Sequence, residues 1–165
     1  MEIIAYAEYL PGLMSRIIEM QARYYYKFWN FGLAYEISVA GELAEFMSAY
    51  DQEKDVLLYA LSEEKVIGSI SINGSNKSNG EAQLRWFIMD DDYIGYGVGT
   101  KLMDHALAFC TRKNFRKVFL TTFKGLEMAR NLYERNGFKL SGENINTRWG
   151  PPVIEEVYER LKDKE

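Results

Sequence analysis

Three glycines, Gly95, Gly97 and Gly99, stand where an apolar run from Leu84 to Met89 gives way to a helical pattern. Glycines there leave backbone N–H groups uncovered, and the first turn of the helix adds its own unpaired N–H groups and a partial positive charge. Such a junction is a seat for phosphate or pyrophosphate. Two familiar signatures do not fit it. A dinucleotide fingerprint needs G-x-G-x-x-G and an acidic residue about 20 positions on. Here the glycines read G-x-G-x-G, Thr100 holds the third place, and no Asp or Glu occurs from His105 to Leu126. A P-loop needs G-x-x-x-x-G-K-[ST], whereas this chain reads Gly99-Thr100-Lys101. What remains is either a glycine-rich turn without a ligand or a seat for another phosphorylated cofactor.

A second pattern lies downstream. Ala129-Arg-Asn-Leu-Tyr133-Glu-Arg-Asn-Gly137-Phe138 reads as a short helix that closes on a glycine and enters a strand. With the loop before it, this pattern resembles the GNAT N-acetyltransferase superfamily, which carries (Q/R)-x-x-G-x-(G/A) after a strand and A-x-x-L-Y-x-x-x-G-F about 30 residues later. The resemblance covers about Val56 to Phe138. A closer likeness is to the acetyltransferase domain fused behind MarR-type regulators, here without the DNA-binding domain. It rests on AQLRWFIMD, on ALAFCTRKNFRKVFLTTFKGLEMARNLYERNGF and on Trp149-Gly150.

The resemblance implies acetyl-CoA as co-substrate and direct attack by a primary amine in a ternary complex. The pantetheine arm then pairs with the strand at Phe87, Ile88 and Met89. The pyrophosphate rests on the backbone N–H groups of Ile94, Gly95, Tyr96, Gly97, Val98, Gly99 and Thr100. Lys101 either reaches a phosphate or is a surface lysine. Tyr133 holds the place of the acid that protonates the leaving thiolate. A phenol with pKa near ~10 is neutral at pH 7 and can donate, although a tyrosine here can equally be core packing. The family builds its acceptor site from the first two helices and the closing hairpin. Arg23-Tyr-Tyr-Tyr-Lys-Phe-Trp29 ends the first of those helices with aromatics all round, either as an acceptor pocket or as a homodimer contact. Trp149-Gly-Pro-Pro152 borders the same region.

Three residues depart from the family pattern. Ile94 stands where Gln or Arg is usual, and Leu126 stands seven residues before the tyrosine where many members carry Asn. Gln83 stands where some members place a glutamate base, and it cannot take a proton. Glu81, two residues earlier on the same strand face, is either a base acting through a water chain or a strand-edge carboxylate. These departures keep a second reading open, a non-catalytic acyl-CoA-binding sensor or interaction module. Asp90-Asp91-Asp92 reads as a solvated turn rather than a metal cluster, and acetyl transfer requires no metal.

Composition bounds the partners. A net charge of −4 gives no electrostatic footprint for nucleic acid. No apolar run approaches the ~18 residues of a membrane span, and no signal peptide is evident. The single Cys110 falls on the apolar face of its helix with Val98, Leu102, Ala106 and Phe109, as a core thiol, and a reducing cytoplasmic setting is expected. The acceptor is expected to be a small-molecule or peptide amine.

The elements that must position these residues follow from periodicity. Glu2–Tyr9 suits a strand, Pro11–Trp29 and Glu36–Tyr50 two helices, and Val56–Leu61 with Val66–Ile72 a hairpin. Glu81–Met89 is a strand, Gly97–Lys113 a helix, Val118–Phe123 a strand and Leu126–Asn136 a short helix. Phe138–Leu140 and Ile154–Leu161 close the chain as strands. The order is βααβββαβαββ in one domain over residues 1–165, an α/β GNAT-like acyl-CoA N-acyltransferase fold with a mixed central sheet flanked by helices.

Overall fold

The computed structural model describes residues 1–164. The chain runs β1 (Glu2–Ala5), α1 (Leu13–Trp29), α2 (Leu33–Ser48), β2 (Asp55–Ser62), β3 (Lys65–Asn73) and β4 (Glu81–Met89). A 3-10 turn (Asp91–Tyr93) follows, then α3 (Val98–Arg112), β5 (Lys117–Phe123), α4 (Glu127–Arg135), β6 (Lys139–Asn146) and β7 (Val153–Leu161). This is the expected order.

All seven strands form one sheet, β1-β2-β3-β4-β5-β7-β6. Among the described residues only β4 and β5 pair in parallel, so the sheet is mixed. Both of its faces are covered, which is why β2 and β3 read as nearly unbroken buried runs. On one face, Val98, Leu102, Ala106 and Cys110 of α3 pack with Leu132 and Tyr133 of α4 against Ile70, Leu84 and Leu120. On the other, Leu13, Ile17 and Met20 of α1 and Val39, Leu43 and Phe46 of α2 pack against Leu57, Trp86 and Phe123. The i, i+4 and i+7 spacing on α1 gives the apolar stripe that this face requires. Cys110 is a core thiol as expected, and burial pushes its pKa up to about 12.

Two strands differ from the sequence expectation. β1 stops at Ala5, short of Tyr9. β6 runs on to Asn146 instead of ending at Leu140, because it is an edge strand held to β7 by its backbone and mostly exposed. Its polar run SGENIN has no apolar alternation to mark it.

One irregularity in β4 opens the sheet. Residues two apart on a strand share a face, yet Leu84 packs under α3 while Trp86 packs under α1 and α2. Between them the register against β3 jumps from Ser71↔Arg85 to Ser69↔Ile88, one residue extra on β4. Trp86 takes φ 46, in the left-handed region that bulky residues avoid. This β-bulge bends β4 away from its parallel neighbour.

Candidate active site

Just before the bulge the sheet forks. β4 pairs with β5 only over Glu81–Gln83, the last pair being Gln83↔Phe119. From Leu84 to Met89 the edge of β4 that faces β5 has no strand partner. A cleft of about 1100 Å³ fills the fork, walled by β4, by Leu120–Phe123 of β5, by the glycine loop and α4 on one side, and by α1, α2 and the β6–β7 loop on the other. An unpaired strand edge inside a sheet is a ready seat for an extended chain of alternating donors and acceptors.

The cofactor residues expected from sequence gather here. Phe87, Ile88 and Met89 line the cleft, as do Ile94, Gly95, Gly97, Val98, Gly99 and Thr100. Tyr96 does not; its side chain is 76% exposed and lies outside the lining. Lys101 is exposed and also lies outside, which favours its reading as a surface lysine. Gly97 caps α3 with φ 78, and a β-carbon built there would meet nothing within 4 Å. The loop therefore leaves open space before the first-turn N–H groups of α3, where an anion fits. Gly99 serves packing instead, since a β-carbon there would come within 3.3 Å of the Phe87 ring. The three aspartates turn away as a capped turn. The Asp90 carboxylate accepts from the Asp92 N–H and pairs with Arg16 of α1 and Lys65 of β3, while Asp91 faces Lys27. Burial pushes the Asp90 carboxyl up, but Lys65, the Asp92 N–H and Arg16 outweigh it and hold it below its usual range. Among the described residues no cluster could hold a metal ion.

Tyr133 projects from α4 into the floor of the fork. Its ring lies 6.2 Å from Phe87, 6.0 Å from Phe138 and 6.2 Å from Tyr158. So the packing role is real. The hydroxyl, however, has no hydrogen-bond partner, and among the described residues the only fully buried unpartnered side-chain atom is Asn73 Oδ1. The phenol therefore opens on the cleft it lines. Burial raises its pKa, so it stays protonated through the neutral range.

The structure brings in Gln83 but not Glu81. Glu81 lies outside the cleft, paired with Arg116 at 2.8 Å and Lys117 at 3.3 Å. Of its two readings, the strand-edge carboxylate is the one found. Leu126 lines the cleft at the start of α4, without a polar side chain to offer.

The opposite wall holds residues that sequence reasoning missed. Of the aromatic run, Tyr24 and Tyr25 line the cleft; Tyr26 and Phe28 are exposed, and Trp29 packs on Phe123. Tyr35, Glu42, Arg148 and Glu155 join them, together with the expected Trp149. Arg85 pairs with Glu42 and stacks on Trp86, and Tyr35 donates to Gln21 Oε1 at 2.8 Å. No motif links these residues. The only signal was that α2 carries Tyr35 and Glu42 seven apart, hence on one helical face.

The chain belongs to the GNAT acetyltransferase family: the family model described as "Acetyltransferase (GNAT) family" matches residues 14–138. The probable N-acetyltransferase camello of Xenopus tropicalis is 27% identical over 139 residues, 83% of this chain. The match spans 63% of that relative's length. A GNAT-family acetyltransferase from Staphylococcus aureus Mu50 superposes with a TM-score of 0.75 at 19% identity, covering 97% of this chain and 99% of that one. The PaiA N-acetyltransferase of Thermoplasma acidophilum, solved with coenzyme A, gives 0.69 at 16% identity, covering 98% and 100%. The mixed seven-stranded sheet with its four helices is the fold of these acetyltransferases.

Proposed function

We propose that the protein transfers an acetyl group from acetyl-CoA to a primary amine in a ternary complex. The observation that carries this is the fork in the sheet, with the Tyr133 hydroxyl opening into it below the glycine loop. Acetyl-CoA, when bound, supplies an electrophilic acyl carbon on a thiolate leaving group.

The chain's own residues have separable tasks. The free edge of β4 from Phe87 to Met89 holds the arm in extended form, and the N–H groups from Gly97 to Thr100 hold the pyrophosphate. A backbone N–H of the β4 edge, freed by the bulge, is placed to face the developing oxyanion. Tyr133 gives its proton to sulfur as the C–S bond breaks and the C–N bond forms. An ammonium acceptor loses two protons overall. One reaches the CoA thiol through Tyr133, and the other leaves by water, since Glu81 lies outside the cleft and Gln83 cannot accept it. The structural neighbour solved with coenzyme A and the camello relative support this reading. A buried phenol whose hydroxyl has no protein partner and borders the cleft favours it over a non-catalytic sensor, which has no use for an acid there.

We further place the protein in the cytoplasm on its single buried thiol. Among the described residues no helix is long and apolar enough to cross a membrane. Kinship with the acetyltransferase domains fused behind MarR-type regulators is proposed on the wording from Ala82 to Asp90 and from Ala106 to Phe138. The reading is tested by thiol release from acetyl-CoA across a panel of amines, with mass spectrometry of the products. An amine-dependent release with an acetylated product supports it. Acetyl-CoA binding without release for any amine would return the sensor reading.

A further inference from the structure

The wall of the cleft opposite Tyr133 is built from flat rings. Tyr25 sits at its centre, 4.9 Å from Tyr35, stacked on Phe31 at 5.7 Å and edge-on to Phe123 at 5.7 Å. Trp149 closes the top, 5.2 Å from Tyr35 and 5.9 Å from Phe123. Its place is fixed by backbone contacts. The Gly32 N–H donates to the Trp149 carbonyl at 3.1 Å, and at Gly150 a β-carbon would come within 2.8 Å of the Asn30 carbonyl, so only glycine lets the loop dock. The slot is therefore formed before any acceptor arrives.

Two of the carboxylates that line the cleft, Glu42 and Glu155, are held by partners, while Glu45 and Glu127 make no ion pair among the described residues. Glu42 pairs with Arg85, and Glu45 also acts on that arginine. Glu155 accepts from Asn146 at 3.0 Å and Asn144 at 3.2 Å, with Arg148 at 3.8 Å. The ring wall itself favours an acceptor with few charges, because each charge brought into an aromatic slot needs its own partner.

One polar group in the slot is unpartnered and aimed inward. The Tyr25 hydroxyl makes no hydrogen bond, yet it is not sealed off from the cleft it lines. Tyr25 and Tyr133 line the same cleft, Tyr25 from α1 on the acceptor side and Tyr133 from α4 on the sulfur side.

We propose that this wall selects a primary amine carried on a flat apolar group, an arylalkylamine in chemical terms, and that the Tyr25 hydroxyl accepts a hydrogen bond from its amino group. The inference rests on the acetyl-transfer reading and adds the acceptor to it. The rings hold the aryl group by edge and face contacts, and the Arg148 guanidinium, 4.4 Å from the Trp149 ring, braces that ring from one side. Tyr25 is a positioning residue: it turns the nitrogen lone pair toward the acyl carbon and takes no proton.

The test compares 2-phenylethylamine and tryptamine with n-butylamine, spermidine and a tripeptide with a free N-terminus, all at saturating acetyl-CoA. The arylethylamines should exceed the others in kcat/KM by roughly tenfold or more, the scale on which shaped apolar pockets discriminate. Trp149→Ala, and Trp149→Leu as the better-packed variant, should raise the arylamine KM roughly tenfold and leave n-butylamine nearly unchanged. Tyr25→Phe should lower kcat with every amine and leave the ranking intact, while Tyr26→Ala, outside the cleft, changes nothing. Acetyl-CoA affinity by calorimetry should hold in all four. If spermidine or the peptide is preferred, or if both Trp149 variants keep the arylamine KM, this inference falls and acetyl transfer stands. If acetyl-CoA binds and no amine is acetylated, both fall.

Discussion

The two walls of the cleft are made of different materials. The wall proposed for the cofactor is backbone: a freed strand edge, a glycine loop and the first turn of α3. The wall proposed for the acceptor is side chain: rings and charges from α1, α2, the end of β5 and the β6–β7 loop. A backbone wall tolerates exchange of most of its side chains but not a change of backbone shape. A side-chain wall behaves in the opposite way. Ile94 and Leu126, which depart from the family pattern, both lie on the backbone wall, where their side chains matter least.

The largest expected effect belongs to the residue at the boundary of the two walls. Tyr133→Phe removes one hydroxyl and keeps the ring that packs on Phe87, Phe138 and Tyr158. General acid catalysis contributes about 10²–10⁴-fold, and kcat should fall by that range. Acetyl-CoA affinity should hold, because the loss is confined to the transition state. Single-turnover kinetics check this, and a wild-type rate would reduce Tyr133 to packing. The pH profile sharpens it. With its pKa raised by burial, Tyr133 stays protonated above the usual phenol range. So kcat/KM should climb as the amine deprotonates and show no fall below about pH 10. An earlier fall would mean that another group is the acid.

Next in size is Gly97→Val, which tests the backbone wall. A β-carbon there enters open space, not protein, so any harm to binding comes from the ligand it excludes. Hydrogen bonds to charged groups contribute about 1.5–3 kcal/mol each, and loss of two would weaken acetyl-CoA binding roughly 10²-fold or more. The left-handed backbone at Gly97 adds about 1–2 kcal/mol of strain, which a thermal melt reads separately. Unchanged affinity in the folded variant would remove the pyrophosphate from this loop. Ile94→Ala, by contrast, should change affinity little.

The same contrast explains what the sequence could reveal. The element order, the glycine loop and Tyr133 were legible because backbone sites need glycines and a helix start at fixed spacing. Those leave a local signature between Leu84 and Phe138. The acceptor wall left only a partial one: the aromatic run up to Trp29 and Trp149 stood out as candidates, while Tyr35 and Arg85 did not. Tyr25, Tyr35, Arg85 and Trp149 come from four segments, and their meeting depends on how α1 and α2 cross the sheet. The bulge was invisible as well. Arg85-Trp86 reads as ordinary strand alternation, and only the pairing with β3 shows that the phase flips there. Glu81 lies before that point, in the part of the strand paired with β5, and so outside the fork, which opens only beyond Gln83. The β6 edge was cut short for a related reason, because backbone pairing asks little of side chains.

The smallest effect concerns the joint between the walls. Asp90 ends β4 on the cofactor side, and its carboxylate reaches Arg16 of α1, which carries part of the acceptor wall. Arg16 also donates from Nε to the Val66 carbonyl at 3.0 Å, and Lys65 pairs with Asp90 at 2.8 Å. Asp90→Asn keeps the shape and the capped turn but removes the charge. Partly exposed pairs of this kind are weak, so the expected loss is about 1 kcal/mol, or about 2–4 °C in Tm for a chain of this size. The sign with pH follows from the depressed pKa. The stabilisation is fully present above the unfolded carboxyl value near ~3.9 and is lost as pH falls through the lower folded value. The gap in Tm between wild type and Asp90→Asn should therefore hold at pH 7 and close as the pH drops below about 4. If the joint aligns the walls, the variant should also raise the acceptor KM by a small factor while acetyl-CoA affinity stays put. A stability loss with no change in either constant would mean that each wall holds its own shape, and that the bulge and the docked Trp149 loop are enough to set the distance between them.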